Sequence, residues 1–315
     1  MKAFILGGAG FIGSHFCELL LKRNIRTTVY DNLSAGILGN LESCMTSARF
    51  KFIRADLNDT AKLRRAMAGH DFVFHFADAT DIRTAFKHPG DYVDGNVLGN
   101  FKVLEAMRAN GIRDFAYPSS TAVFVDATTI PTPEDYGPLL PQTLYGGSKL
   151  ANEGLISSYA HTYGMRAWIF RFADIVGGRM NHGVLFDFIN KLKQDPARLG
   201  ILGNGKQMRS FLLVDECARA ALHAIERSKE QVGIYNVGSQ DQISITAAAK
   251  VITRTMGLRG VRFEYAGGAR GWKGDALSNF ITIKKLRRLG WKPRYDSAES
   301  LAIATGRLAK EIRDA

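Results

Sequence analysis

Cysteine is scarce. Cys17, Cys44 and Cys217 are the only three in 315 residues, an odd number at wide spacing. That excludes a disulfide scaffold and leaves no zinc-ligand spacing, so no metal is expected. Proline is also low, at 8 against 32 glycines, and the chain is 46% hydrophobic. Such a composition is neither collagen-like nor disordered. No apolar run reaches the roughly 18 residues of a membrane-spanning helix. The opening Lys2-Ala3-Phe4-Ile5-Leu6 imitates a signal peptide, but Gly7-Gly8 breaks the run and no cleavage site follows. A cytoplasmic protein with no membrane partner is the expectation.

Acidic residues are the scarcer charge, 30 against 42 basic, a formal net of +12. An excess of this size suits nucleic acid, a membrane surface or small anions. The basic residues are dispersed, however. Arg64-Arg65, Lys191 with Lys193, and the run from Lys284 to Arg288 are short clusters in helix-like stretches. They read as solvated faces. No zinc-finger, RNA-motif or basic-zipper pattern accompanies them, and no nucleic-acid partner is expected.

What is present is alternation. Apolar runs at residues 2–6, 27–30, 50–54, 71–76, 113–117 and 167–172 predict buried strands. Helical patterns lie between them, from Gly13 to about Arg23 and over 59–68, 92–109 and 147–163. Short connections between such elements imply an α/β fold with a doubly wound parallel sheet. After Gly177 the pattern loosens. Helices are predicted over 184–192, 214–227 and 244–255, and strands over 210–214 and 231–237. Thereafter the reading is of short elements around Gly267-Gly268, Gly271, Trp272 and Gly274.

Gly7-Gly8-Ala9-Gly10-Phe11-Ile12-Gly13 follows the first strand and opens the first helix. Gly7 permits a tight turn, Gly10 lets backbone approach a pyrophosphate, and Gly13 lets helix and strand pack closely. The helix N-terminus offers amides and a positive dipole end. Alone, a glycine triplet is weak evidence. Asp31, 18 residues beyond Gly13, ends the second strand, where its carboxylate can accept both ribose hydroxyls and repel a 2′-phosphate. Asp56 ends the third strand, within reach of an adenine edge. Together they point to dinucleotide binding, with NAD preferred over NADP. The division expected is a Rossmann-type, mainly NAD-binding domain over residues 1–176. Residues 177–315 form mainly a smaller C-terminal substrate-binding lobe, part of which returns to the large domain.

Tyr145 and Lys149 stand four residues apart and share a face if helical. An ammonium beside a phenol favours the phenolate, as a general base acting on a sugar hydroxyl requires. Lys149 could also hold the nicotinamide ribose. Ser120 follows the fifth strand, at the edge where open-sheet sites lie, and could steady the same substrate oxygen. By themselves a tyrosine and a lysine at this spacing are ordinary surface chemistry; beside a dinucleotide motif they are a reaction site.

These motifs, with Tyr30-Asp31-Asn32-Leu33-Ser34, Asp56-Leu57, His75-Phe76-Ala77, Asn96, Ser119-Ser120, Tyr145-Gly146-Gly147-Ser148-Lys149, Arg171-Phe172, Gly203-Asn204-Gly205-Lys206-Gln207 and Tyr235-Asn236-Val237-Gly238, carry a resemblance over nearly the whole chain. The sequence resembles the extended short-chain dehydrogenase/reductases of the NAD-dependent epimerase/dehydratase family, most of all the UDP-glucose 4-epimerases. The resemblance implies that Tyr145 is the base, Lys149 its electrostatic partner and Ser120 the hydroxyl-binding residue. Phe11 and Ile12 would donate amides to the pyrophosphate. Asp31, Asn32, Asp56, Leu57, Phe76, Ala77, Asp78, Ala79, Thr80, Asn96 and Ala173 would complete the cofactor pocket. It further implies a nucleotide-sugar substrate, a UDP-hexose, and a homodimer joined through helices 92–109 and 147–163. The reaction would interconvert UDP-glucose and UDP-galactose through a 4-keto sugar.

Departures from the resembled pattern matter. Asp78 stands where the family usually has alanine or glycine, Asp174 where it has asparagine, and Pro118 where serine is common. Arg209 and Arg270 are candidate phosphate ligands beside Asp174, the latter in a segment slightly shifted from the usual register. Asn279, counted on from Gly274-Asp275, would border the sugar's C2 substituent. Another sugar-nucleotide epimerase or a 4-keto-reductase is the alternative within the class. The dehydratases resembling this chain carry an aspartate-glutamate pair just after the fifth strand, where Thr121-Ala122 offers no carboxylate. From a different class, a non-catalytic NAD-binding or RNA-associated module has only the net charge in its favour.

Overall fold

Ala3, Phe4, Ile5 and Leu6 are wholly buried, and the strand they form, β1 (Lys2–Leu6), lies inside a sheet covered on both faces. The structure, a computed structural model, describes residues 1–80, 87–124 and 126–314. The other strands of this sheet are β2 (Arg26–Asp31), β3 (Phe50–Arg54), β4 (Phe72–His75), β5 (Asp114–Ser120), β6 (Arg166–Phe172) and Val232–Val237. Their spatial order is β3-β2-β1-β4-β5-β6 and then Val232–Val237. The pairs β1–β2, β2–β3, β1–β4 and β4–β5 are parallel. The order reverses between β1 and β4, and their carboxyl ends form the crevice where open α/β sheets bind ligands. This is the Rossmann-type fold expected.

The helices around the sheet are α1 (Phe11–Lys22), α2 (Glu42–Met45), α3 (Thr60–Met67), α4 (Gly99–Ala109) and α5 (Leu144–Tyr163). One sheet face presents Phe4, Leu6, Tyr30, Val73, Phe115 and Tyr117 to Leu63, Met67, Val103, Leu104, Met107 and Ile156 of α3, α4 and α5. The opposite face carries Phe72, Phe74 and Trp168, with Phe16 of α1 packed 5.9 Å from Phe74. Local chemistry marks the helix ends. Asp59 accepts from Lys62 N–H at the start of α3, and Thr143 from Gly146 N–H at the start of α5. Gly164, at φ +67°, ends α5 in the left-handed conformation that glycine adopts without strain. The predicted helix 92–109 is two elements. Asp91–Leu98 is a π-helix that runs into α4; within it, buried Asn96 turns its side chain to Ala79 and its backbone carbonyl accepts from Asn152 Nδ2.

The chain divides into two compact units. The first comprises Met1–Val123, Pro141–Arg171 and Ala221–Tyr235; the second comprises Phe124–Leu140, Phe172–Ala220 and Asn236–Ala315. In the second, Asp174–Val176 pairs in parallel with Phe211–Leu213, and Arg198–Ile201 with Arg262–Tyr265. Met208–Arg209 pairs antiparallel with Ile243–Ser244 and parallel with Ser278–Asn279. Its core joins Leu185, Phe188 and Ile189 to Leu199, Ile252, Leu301 and Leu308. The last two belong to a helix, Ser297–Asp314, where the sequence suggested only short elements. Among the described residues, no helix is long and apolar enough to cross a membrane. All three cysteines are buried, and no cluster suited to a metal occurs among those residues.

Candidate active site

The glycine loop is shaped by what cannot be added to it. Gly7 has φ +72°, and a Cβ there would lie 2.6 Å from the backbone of Phe76 and Ala77. A Cβ on Gly13 would lie 2.3 Å from the carbonyl oxygen of Gly7, so helix and loop meet backbone to backbone. Helix α1 starts at Phe11 with no side chain capping it, which leaves the amides of Phe11, Ile12 and Gly13 for an anion. Ala9 is gripped from both ends. Its N–H donates to Asp31 Oδ2 at 2.9 Å, and its carbonyl accepts from Asn40 Nδ2 at 2.8 Å. Asp31 Oδ1 also accepts from Leu33 N–H at 2.8 Å, holding Leu33 at φ +62°. The carboxylate therefore orders the loop, and its roughly four lone-pair sites leave capacity for the ribose hydroxyls that the sequence reading assigns to it.

Next to this loop, Asn32 Nδ2 donates to Asp56 Oδ2 at 2.7 Å. Asp56 Oδ1 accepts from Asn58 N–H at 2.8 Å, and these bonds hold the Asp56 carboxyl below its usual range. Leu57 approaches Gly99 at the start of α4. Phe76 N–H continues the β1 ladder by donating to Leu6. Asn96 reads both backbone groups of Ala79, accepting from its N–H at 2.7 Å and donating to its carbonyl at 3.0 Å, and also donates to Ser148. Its amide is thus spent on shaping the 76–80 strip, which ends at exposed Thr80.

The residues expected to carry the reaction come from β5 and α5. Ser120 ends β5, and its Oγ accepts from Ala122 N–H at 3.1 Å, which leaves its own proton to donate. Helix α5 starts against the turn at Thr121–Phe124. A Cβ on Gly146 would lie 2.4 Å from the Ala122 carbonyl oxygen, so this glycine lets the start of α5, which carries Tyr145, approach the turn that follows Ser120. Lys149 follows one turn later, with Nζ 5.6 Å from the Tyr145 ring centre and 4.7 Å from that of Tyr117. The lysine is buried. Its Nζ donates to Asp78 Oδ2 at 2.6 Å and to the Pro118 carbonyl at 2.5 Å. Burial alone would lower the Lys149 pKa; the Asp78 carboxylate and Tyr145 outweigh it, and the pKa lies above its ordinary value. Asp78 and the Pro118 carbonyl are lysine partners that motif reading did not supply, since they lie 71 and 31 residues from Lys149.

The second unit holds the other predicted residues. Asp174 Oδ2 accepts from Asn279 Nδ2 at 2.8 Å. Burial pushes the Asp174 carboxyl upward, partly opposed by Arg209. Arg209 pairs with Asp275, and Arg270 donates to the Asp275 carbonyl and to Asp126. Asp275 is thus the hub of both arginines, a function that the sequence reading left unassigned. Ala173 also falls in this unit, its N–H donating to Val237.

The sequence pattern of the NAD dependent epimerase/dehydratase family matches residues 3–238. A crystal structure of UDP-galactose 4-epimerase superposes with a TM-score of 0.88 at 33% identity, covering 99% of this chain and 100% of that one. The crystal structure of UDP-glucuronic acid 4-epimerase from Bacillus cereus, in complex with UDP-glucuronic acid and NAD, gives 0.89 at 26% identity over 99% and 100%. A dTDP-glucose 4,6-dehydratase of an Actinoplanes species is 27% identical over 96% of both chains.

Proposed function

The chain belongs to the NAD-dependent epimerase/dehydratase family, and from that premise we propose that it is a 4-epimerase interconverting UDP-glucose and UDP-galactose through a 4-keto sugar. At the coarser level it is an NAD-dependent enzyme of the sugar-nucleotide 4-epimerase/dehydratase class. The glycine loop suits the cofactor: its Cβ-free cradle and uncapped helix start match a pyrophosphate, and Asp31 matches an unphosphorylated ribose. Bound NAD would supply the reversible acceptor for the hydrogen leaving sugar C4.

The chain's own residues handle the proton. Tyr145, as phenolate, takes it from the 4-hydroxyl and returns it when the ketone is reduced. Lys149 stabilises the phenolate through its charge. Ser120 donates to the same sugar oxygen and keeps it in line. Arg209 and Arg270 bind the substrate diphosphate, exchanging contacts with Asp275 and Asp126 for the phosphates. Remote binding of the nucleotide retains the ketone between the two half-reactions.

The observation that supports this reading is the Lys149 ammonium 5.6 Å from the Tyr145 ring centre, with Ser120 ending β5 directly before Thr121 and Ala122. A dehydratase needs an acid to protonate departing hydroxide and a base for the C5 proton, and neither Thr121 nor Ala122 can act as one. The test is incubation with UDP-, dTDP- and GDP-sugars without added reductant, products being resolved by chromatography. Conversion of UDP-glucose to UDP-galactose supports the reading; a dehydrated product or no turnover refutes it. Tyr145→Phe should lower turnover by roughly two to four decades with NAD retained, and near-normal turnover would remove Tyr145 from this function.

A further inference from the structure

Asp78 is a buried carboxylate that the reaction just described does not use. Its side chain is 1% exposed and that of Lys149 is 2% exposed. Asp78 Oδ2 accepts from Lys149 Nζ at 2.6 Å and from Tyr117 Oη at 2.8 Å. Among the described residues its Oδ1 has no hydrogen-bond partner, and nor does His75 Nε2, 4.0 Å away. A buried carboxylate with one oxygen unsatisfied is an expensive way to fill space.

Its surroundings decide where its charge acts. His75 lies on β4, Tyr117 and the Pro118 carbonyl on β5, and Tyr145, Lys149 and Glu153 on α5. Glu153 is matched by Arg171 at 2.7 Å. Burial holds His75 neutral, with a pKa of about 4. Tyr117 donates its proton to Asp78 and accepts from Asn152 Nδ2 at 2.8 Å. Its phenol is therefore kept protonated, although its ring is nearer to Lys149 than that of Tyr145. What remains is the Asp78–Lys149 pair acting on Tyr145.

We infer that Asp78 is a positioning residue: it holds the Lys149 ammonium against the Pro118 carbonyl, keeps it charged, and sets the pH range in which Tyr145 works as the base. The inference rests on the proposed role of Tyr145. A negative charge raises the pKa of every neighbouring group. Removing it from Asp78 lowers both the pH at which Tyr145 ionises and the pH at which Lys149 loses its proton. The two shifts have the same sign, so the whole activity profile moves in one direction.

The test compares Asp78→Asn, Asp78→Ala and the charge-retaining Asp78→Glu as purified holoenzymes. For the neutral variants the pH profile of kcat/KM should move to lower pH by about one unit or more, a ten-fold change in the ionisation constant. Asp78→Glu should stay near the parent profile. A second readout does not need turnover. Absorbance of the tyrosinate is titrated in each variant, with and without Tyr145→Phe, and the difference reports Tyr145 alone. It should shift acidward in step. If both profiles stay in place while only the overall rate falls, or if they move to higher pH, the inference is overturned. If the titration shifts but Tyr145→Phe remains active, the charge coupling stands and the role of Tyr145 as base fails. Should Asp78→Asn not fold, Asp78→Ala carries the same prediction.

Discussion

Replacing Asp31 should damage the protein before any cofactor is added. The carboxylate is only 8% exposed and accepts two backbone amides, Ala9 N–H at 2.9 Å and Leu33 N–H at 2.8 Å. Hydrogen bonds to a charged group contribute about 1.5–3 kcal/mol each. Asp31→Asn keeps one acceptor and turns an NH2 toward the other amide, so it should cost roughly 2 kcal/mol. Asp31→Ala loses both acceptors and should cost about 3–5 kcal/mol. Leu33 adds to this, because its φ of +62° is a conformation that non-glycine residues hold only when tied down. The Ala9 carbonyl stays bonded to Asn40, which keeps the loop from collapsing altogether. At about 2 °C per kcal/mol for a chain of this size, calorimetry without added cofactor should show Tm lower by about 4 °C for Asn and 6–10 °C for Ala. Titration with NAD and NADP then isolates the second function. Asp31→Ala should narrow the preference for NAD by roughly ten-fold or more, as the ribose acceptor and the charge opposing a 2′-phosphate go together. An unchanged Tm in the absence of cofactor for both variants would refute the loop-ordering argument, whatever happens to NAD binding.

Asn279→Tyr should depress UDP-GlcNAc turnover at least about ten-fold more than UDP-glucose turnover if Asn279 borders the C2 substituent; equal losses would mean that its service is to Asp174, 2.8 Å away. Val93, Leu98 and Phe101, along the helix leading into and through α4, and Leu144 and Tyr163 of α5 are exposed apolar residues. Sedimentation should show a homodimer at micromolar concentration, and a monomer alone would count against that face as an interface. His75, buried and with its pKa lowered to about 4, should make the fold acid-sensitive. Between its ordinary value of 6.5 and about 4, the unfolded chain binds a proton that the folded one refuses, so stability falls as pH falls. The loss reaches about 3 kcal/mol at the lower end. Urea denaturation of His75→Gln should show a flatter dependence over that window; an identical slope would place the acid sensitivity elsewhere.

The sheet was legible because its signals are local. Apolar runs such as Ala3 to Leu6 read as strands and the glycines after them as turns, and the alternation with helices leaves few topologies. The second unit was harder for two reasons. Met208–Arg209 and Ser278–Asn279 are strands of two residues each, held by a partner about seventy positions away, and such pairs have no periodicity to read. The helix Ser297–Asp314 did carry a signal. Asp296 and Glu299 form a reciprocal capping box, each accepting the other's N–H at 2.8 and 3.0 Å. Leu301, Ala304, Leu308 and Ile312 then mark its packed face, but small Ala304 and the glycine at position 306 weaken the stripe.

At the candidate site the same rule separates what could be read from what could not. Tyr145 and Lys149 face each other because one helical turn separates them, and Asp31 reaches the glycine loop because adjacent parallel strands end together. Both relations follow from backbone geometry and survive almost any choice of neighbours. Charge pairing does not. The Lys149 partner lies beyond β4, 71 residues earlier, and the partner of Arg209 lies 66 residues later. Only the folded chain reveals that each cation meets a carboxylate in a buried setting. Asp78 shows the consequence. By residue type it reads as a departure from a small residue in a cofactor strip. By position it is the counter-charge of Lys149, and an unpaired ammonium at 2% exposure would be strongly disfavoured without it. An acidic residue at this point and a charged Lys149 are therefore coupled choices, and replacing one alone should alter the ionisation of the other before it alters the shape of the site.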